Sequence, residues 1–170
     1  MTIAYRTAGP GDAPALAALG ARCFAETFGH AFPPGDMALH LETMFGPEAL
    51  ATHYRDPALR IRMAEEDGAV AAYLKLAPVA LDVPHEAGAL EIKQLYVLAP
   101  WQGAGIAAAL MDWAIGTARA GGAPALYLSV WEQGGRAQAF YRKHGFETVG
   151  AAPFRVGARV YQDPVMRRGL

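Results

Sequence analysis

Residues 90 to 107 read Leu-Glu-Ile-Lys-Gln-Leu-Tyr-Val-Leu-Ala-Pro-Trp-Gln-Gly-Ala-Gly-Ile-Ala. Leu90 and Ile92 are apolar at period two and Glu91 and Lys93 oppose them, which is the pattern of a strand. After Lys93-Gln94 the apolar positions restart one residue out of step, at Leu95 and Val97. One extra residue produces such a slip, so this strand is expected to carry a β-bulge. A bulge bends a strand away from its neighbour and leaves backbone groups unpaired, able to hold an extended ligand as another strand would. A Pro-Trp-Gln loop then leads to Gly103 and Gly105, and a helix opens with Ile106, Leu110 and Trp113 on its apolar side. N–H groups at a helix start have no partner inside the helix. Glycine allows close approach to them, and the helix dipole adds positive potential. Residues 102–107 therefore read as a cradle for a phosphate or pyrophosphate.

Working outward, 170 residues with 53% hydrophobic and 18% charged side chains fit one globular domain, 1–170, with a sizeable core. Residues 1–6 lack the charged start and apolar run of a secretory leader, and no apolar run reaches spanning length, so no membrane association is expected. A single cysteine excludes an internal disulfide and is compatible with a cytoplasmic location. The net charge of −1 gives no reason to expect nucleic acid. Its distribution is uneven. Residues 26–91 hold eleven acids and four bases, −7, and the remainder holds five acids and eleven bases, +6. One part suits a cation and the other an anion, or both are solvated faces.

In chain order, residues 2–7 alternate as a first strand. Asp12 and Pro14 suit a helix start, with Leu16, Leu19, Cys23 and Thr27 on one face and an end near Gly29. Cys23 on that face reads as a buried structural thiol. A second helix spans 36–45, and Gly46-Pro47 breaks it before a short helix to about Tyr54. Leu59 to Met63 and Val70 to Leu76 read as strands joined by an Asp67-Gly68 hairpin. The bulged strand and its helix follow, the helix ending near Gly121. A central strand spans 125–131, a helix 136–144 has Ala137, Phe140, Tyr141 and His144 on one side, and strands begin at 146 and 160. Pro164 suggests that the last strand lies at an edge or is itself bulged. The order β-α-α-β-β-β-α-β-α-β-β predicts an α/β (α+β) fold. Its sheet would be mixed and mostly antiparallel, of about seven strands, with a bulged central strand and helices on both faces.

Two motifs carry a family resemblance. Gln102-Gly103-Ala104-Gly105-Ile106-Ala107 matches Gln/Arg-x-x-Gly-x-Gly/Ala. The strand 126–131, followed by Phe140-Tyr141, three residues and Gly145-Phe146, matches a second signature at the right separation. Together they resemble the GNAT superfamily of acyl-CoA-dependent N-acyltransferases. More loosely, Phe24 to Phe28, Val130-Trp131-Glu132 and the closing segment from Phe154 to Met166 are similar to the bacterial PaiA-type branch, which is associated with polyamine N-acetylation.

The resemblance implies acetyl-CoA as co-substrate. Backbone groups of Leu95, Tyr96 and Val97 would pair with the pantetheine arm, and amides from Gln102 to Ala107 would hold the pyrophosphate. Tyr141 would stand near the thioester sulfur. Gly134 departs from the family, which often has a cofactor-contacting Asn there. An alkylammonium with a pKa near ~10.4 must lose a proton before it attacks. Glu91 is the candidate general base, through water, with a surface ion pair to Lys93 as its alternative role and Glu26 as the fallback base. Either carboxylate would also meet the substrate. The Val97 N–H freed by the bulge is the candidate oxyanion donor and Tyr141 the candidate acid.

The five histidines and Cys23 make no metal-ligand spacing, so no metal is expected. Gly103 to Ala108 also matches a relaxed dinucleotide fingerprint, but the intervening loop and the few βα units that follow argue against an oxidoreductase. A non-catalytic acyl-CoA sensor is the rival from another class. The expected partner is a small-molecule amine, with amino acids, antibiotics and protein N-termini as other acceptors. The oligomeric state stays open, a homodimer included. The acceptor-choosing residues are expected in loops around 29–36, 79–88 and 151–157.

Overall fold

The computed structural model describes residues 2–49 and 56–170. Its elements run β1 (Ile3–Thr7), α1 (Ala13–Phe28), α2 (Pro34–Phe45), β2 (Arg60–Glu66), β3 (Ala69–Pro78), β4 (Leu90–Val97), α3 (Ile106–Ala120), β5 (Ala125–Ser129), α4 (Gly135–Lys143), β6 (Glu147–Val156) and β7 (Arg159–Gly169). The short helix expected after Gly46 begins at 47–49, and the rest of it, with His53, lies outside the described residues.

Seven strands form one sheet in the order β1-β2-β3-β4-β5-β7-β6. Every neighbouring pair is antiparallel except β4 and β5. The Asp67-Gly68 turn has φ values of 50° and 80°, the doubly left-handed geometry that a two-residue hairpin favours. The sheet has helices on both faces. On one, Ile106, Leu110, Met111 and Ala114 of α3 pack on Leu74, Leu76, Ile92, Leu126, Leu128 and Met166, with Phe140 and Tyr141 of α4 alongside. On the other, Leu16, Leu19 and Cys23 of α1 pack on Ile61, Met63 and Tyr73, and Phe24, Phe32 and Met37 meet Val156, Phe154 and Tyr161. The 79–83 loop covers the rest of that second face, over Ala125, Tyr127, Ala152 and Val165.

Several expectations needed correction. Thr27 is exposed, and Phe24 and Phe28 turn inward instead, because the aromatic cluster around α2 draws that side of α1 down. Ala137 of α4 is exposed too. The segment 151–157 is mostly strand: β6 continues to Val156 and only the hairpin tip at Gly157 turns. β7 is an interior strand, with β6 at the edge. Pro164 is tolerated there because β5 stops beside it. The last β5–β7 pair is Ser129 with Val165, and beyond it Pro164 accepts from Val130 N–H at 3.0 Å, so the proline forgoes a single donor at the end of the ladder. β7 is not bulged either: the extra residue, Val149, belongs to its partner β6, between Thr148 and Gly150.

Candidate active site

The slip read in residues 90–97 is a real bulge. Lys75 pairs with Gln94 and Leu76 with Ile92, so Lys93 is the extra residue. It divides β4 by face. Leu90, Ile92, Leu95 and Val97 lie against the α3 cluster, and Tyr96 and Leu98 against the α1 cluster. On its other side β4 joins β5 through two pairs alone, Leu90 with Leu126 and Glu91 with Tyr127, and past these the two strands separate. The result is an opening in the sheet whose walls are the ends of β4 and β5.

Backbone direction follows from the ladder. Leu98 N–H donates to Ala71 O at 3.0 Å, and Val97 stands opposite Ala72. Antiparallel pairs alternate between bonded and non-bonded. Val97 and Leu95 therefore turn their N–H and C=O groups away from β3 and into the opening, and those of Tyr96 pair with β3. The Val97 carbonyl accepts the Gln102 side-chain amide at 3.0 Å, and Gln102 Oε1 receives Arg136 Nη1 at 3.3 Å. Gln102 thus ties the end of β4 to the start of α4. Nothing in the local pattern marks Arg136, because it lies 34 residues from Gln102 in sequence.

Gly103 and Gly105 have φ values of 84° and 82°, in the left-handed region that favours glycine. A Cβ at either position would meet no protein atom within 4 Å, so the space above them is clear. α3 begins with Gly105 as its N-cap and has no side-chain cap, and its first bond runs from Ala109 N–H to Gly105 O at 3.1 Å. The amides of Ile106, Ala107 and Ala108 are left facing that space. Ala104 lies between the two glycines. Here a ligand with a terminal anion finds the fit that the residues offer.

Tyr141 lies on the α3 side of the opening, half-buried, with its ring edge-on to Phe140 and Phe146. Burial pushes its hydroxyl up to about 12, so it stays protonated at neutral pH. The Tyr96 hydroxyl is raised by burial first, then by Cys23 and Tyr141. Burial, with Glu26 adding, pushes the Cys23 thiol up to about 11, which suits an inert core residue.

The two candidate bases are not with Tyr141. Glu91 is buried at 6% exposure, and its Oε2 takes the Ala80 N–H at 2.8 Å and Lys93 Nζ at 3.3 Å. It stands where β4 still pairs with β5, before the opening. Glu26 is exposed and pairs with Arg22 at 2.7 Å. Gly134 precedes α4 with φ of −81°, so its backbone does not require glycine. A Cβ would come within 3.0 Å of the Trp131 carbonyl, so a larger side chain would need that carbonyl to move.

Comparison with known proteins agrees with this geometry. The sequence model of the acetyltransferase (GNAT) family matches residues 22–146. An uncharacterized N-acetyltransferase of Mycobacterium tuberculosis is 35% identical over 159 residues, spanning 94% of this chain and 98% of the relative. Another from Lactobacillus delbrueckii is 29% identical over 160 residues, covering 94% and 92%. Among solved structures, the PaiA N-acetyltransferase of Thermoplasma acidophilum in complex with coenzyme A superposes with a TM-score of 0.80 at 17% identity, covering all of both chains. A ribosomal-protein-alanine N-acetyltransferase of Brucella melitensis reaches 0.72 at 23%, covering 98% and 99%. The opened sheet over an uncapped helix start defines a nucleotide-thioester acyltransferase. This chain belongs to the GNAT family of N-acetyltransferases and uses acetyl-CoA. Its mostly antiparallel sheet also disposes of the dinucleotide-oxidoreductase alternative, which needs consecutive parallel strands. Among the described residues no helix is long and apolar enough to cross a membrane, and no three His, Cys, Asp or Glu side chains group to hold a metal ion.

Proposed function

We propose that this chain acetylates a primary amine on a small molecule directly from acetyl-CoA, with a polyamine as the favoured acceptor. The observation that carries the reading is the separation of β4 from β5 beside the uncapped start of α3. The amides from Gln102 to Ala107 would hold the pyrophosphate, with the Arg136 cation nearby. The pantetheine arm would run along Leu95 to Val97, past Gly134 and Tyr141. The Val97 N–H, turned into the opening, would donate to the oxyanion, and protonated Tyr141 would donate to the leaving thiolate. Glu91 would serve as general base through water, with Glu26 as the fallback. The acidic stretch 26–91 and the PaiA-type motifs support the polyamine.

The test is CoA release from acetyl-CoA across spermidine, spermine, amino acids, aminoglycosides and N-terminal peptides. Turnover on polyamines alone is expected. Turnover on another acceptor keeps the chemistry and discards the polyamine. Acetyl-CoA binding with no turnover on any amine moves the reading to a sensor.

A further inference from the structure

α3 lies on one face of the sheet, so an arm that starts at its N-terminus and threads the opening delivers its acyl end to the other face. That face carries a carboxylate with no part in the roles above. Asp163 is on β7, 5% exposed. It alternates with Tyr161 and Val165, both of which pack on the α1 side. Ser129 pairs with Val165 and Val130 bonds to Pro164, so Asp163 stands beside Trp131. Continuing the β4–β5 register through the bulge puts Trp131, and Asp163 with it, at the height of Leu95–Tyr96 across the opening. Asp163 Oδ1 accepts the Glu132 N–H at 3.1 Å, which fixes the group, and among the described residues no donor reaches Oδ2.

Resting on the acetyl-transfer reading above but taking the base role there given to Glu91, we propose that Asp163 receives the acceptor ammonium through Oδ2 and takes its proton. The ammonium gives one proton to Asp163 and becomes the neutral amine. Its lone pair forms the C–N bond at the thioester carbonyl, the C–S bond breaks, and the thiolate takes a proton from Tyr141. The second nitrogen proton restores Tyr141, and Asp163 releases its own to solvent, so one proton leaves per turnover. Burial raises the Asp163 carboxyl to about 6, against the Glu132 N–H, which lowers it, and with the Glu132 charge adding a little, and at that value a base serves near neutral pH. The titratable groups on the elements around it are Glu132 beyond β5, Tyr161 along β7, Tyr127 on β5, which is held by Glu86, and His30 beyond α1, which sits edge-on to Trp131.

The test is Asp163→Asn, which keeps the bond to Glu132 N–H, with Asp163→Glu as the conservative variant. Wild type is expected to show an acid limb near pH 6 in kcat/KM for the amine. Asn should lose that limb and about 100-fold in kcat, with acetyl-CoA affinity kept and Tm not lowered, and Glu should recover part of the rate. An active wild type whose acid limb and kcat survive in the Asn variant overturns the assignment alone. A wild type that binds acetyl-CoA but acetylates no amine overturns the acetyl-transfer reading, and this one with it.

Discussion

Tyr141 is a half-buried acid and Asp163 a buried one, and burial shifts both upward with opposite consequences. For Tyr141 the shift to about 12 guarantees a proton to give. Tyr141→Phe should lower kcat roughly 100-fold and leave acetyl-CoA affinity unchanged, as read by CoA release and titration calorimetry; equal turnover would remove Tyr141 from the reaction. For Asp163, a folded value near 6 against an ordinary 3.8 means that the folded state holds a proton more tightly than the unfolded chain. Stability then falls as pH rises from about 4 through 6, the reverse of an ion-paired carboxylate. Glu86 is the contrasting case. Arg167 and Tyr127 hold it down to about 2, so its contribution is present above its ordinary range and lost in strong acid. In thermal melts from pH 3 to 8, Asp163→Asn should be the more stable protein at pH 7, with its advantage vanishing below about pH 4. Tyr141 was legible from Phe-Tyr-x-x-x-Gly-Phe. Asp163 was not, because what distinguishes it is burial beside the end of a strand some thirty residues earlier.

At the scale of elements, β4 was the most legible part of the chain, since a bulge changes the period of the pattern itself. The faces separated by Lys93 are those that the apolar positions imply. Removing Lys93 would restore plain alternation without turning any side chain to the wrong face. Lys93 contributes only a partly exposed ion pair to Glu91, which is worth little. Deleting it should therefore preserve the fold and Tm to within a few degrees while acetyl-CoA binding is lost, as β4 straightens toward β5. Retained binding in a folded deletion would separate the bulge from the opening. β6 and β7 were harder to read. Pro164 signals an edge or a bulged strand in the local pattern, but a proline also fits an interior strand at the point where its neighbour ends. The β6–β7 tip is fixed by contacts that no local pattern encodes. A Cβ on Gly157 would fall 2.2 Å from the Asp36 carboxyl carbon, and Arg159 donates to Ala31 O at 3.2 Å.

For the whole molecule, class and strand count followed from element order, while the placement of β7 inside β6 needed the long-range pairing. The same pairing has a consequence of its own. Two residue pairs are all that join β1-β2-β3-β4 to β5-β7-β6 within the sheet, so the molecule is bound like a book with two leaves and a spine supplied by the α3 core. A ligand laid in the gutter would act as the stitching. Native-state hydrogen exchange should register this: acetyl-CoA should slow amide exchange in β4 and in β5 together, on opposite leaves, and leave β1 at the outer margin unchanged. Protection confined to one leaf would mean that the ligand rests on a page without binding the volume. If the stitching holds, the acyl donor is also a structural member, and the pocket for the amine is completed only after the book has closed around the first substrate.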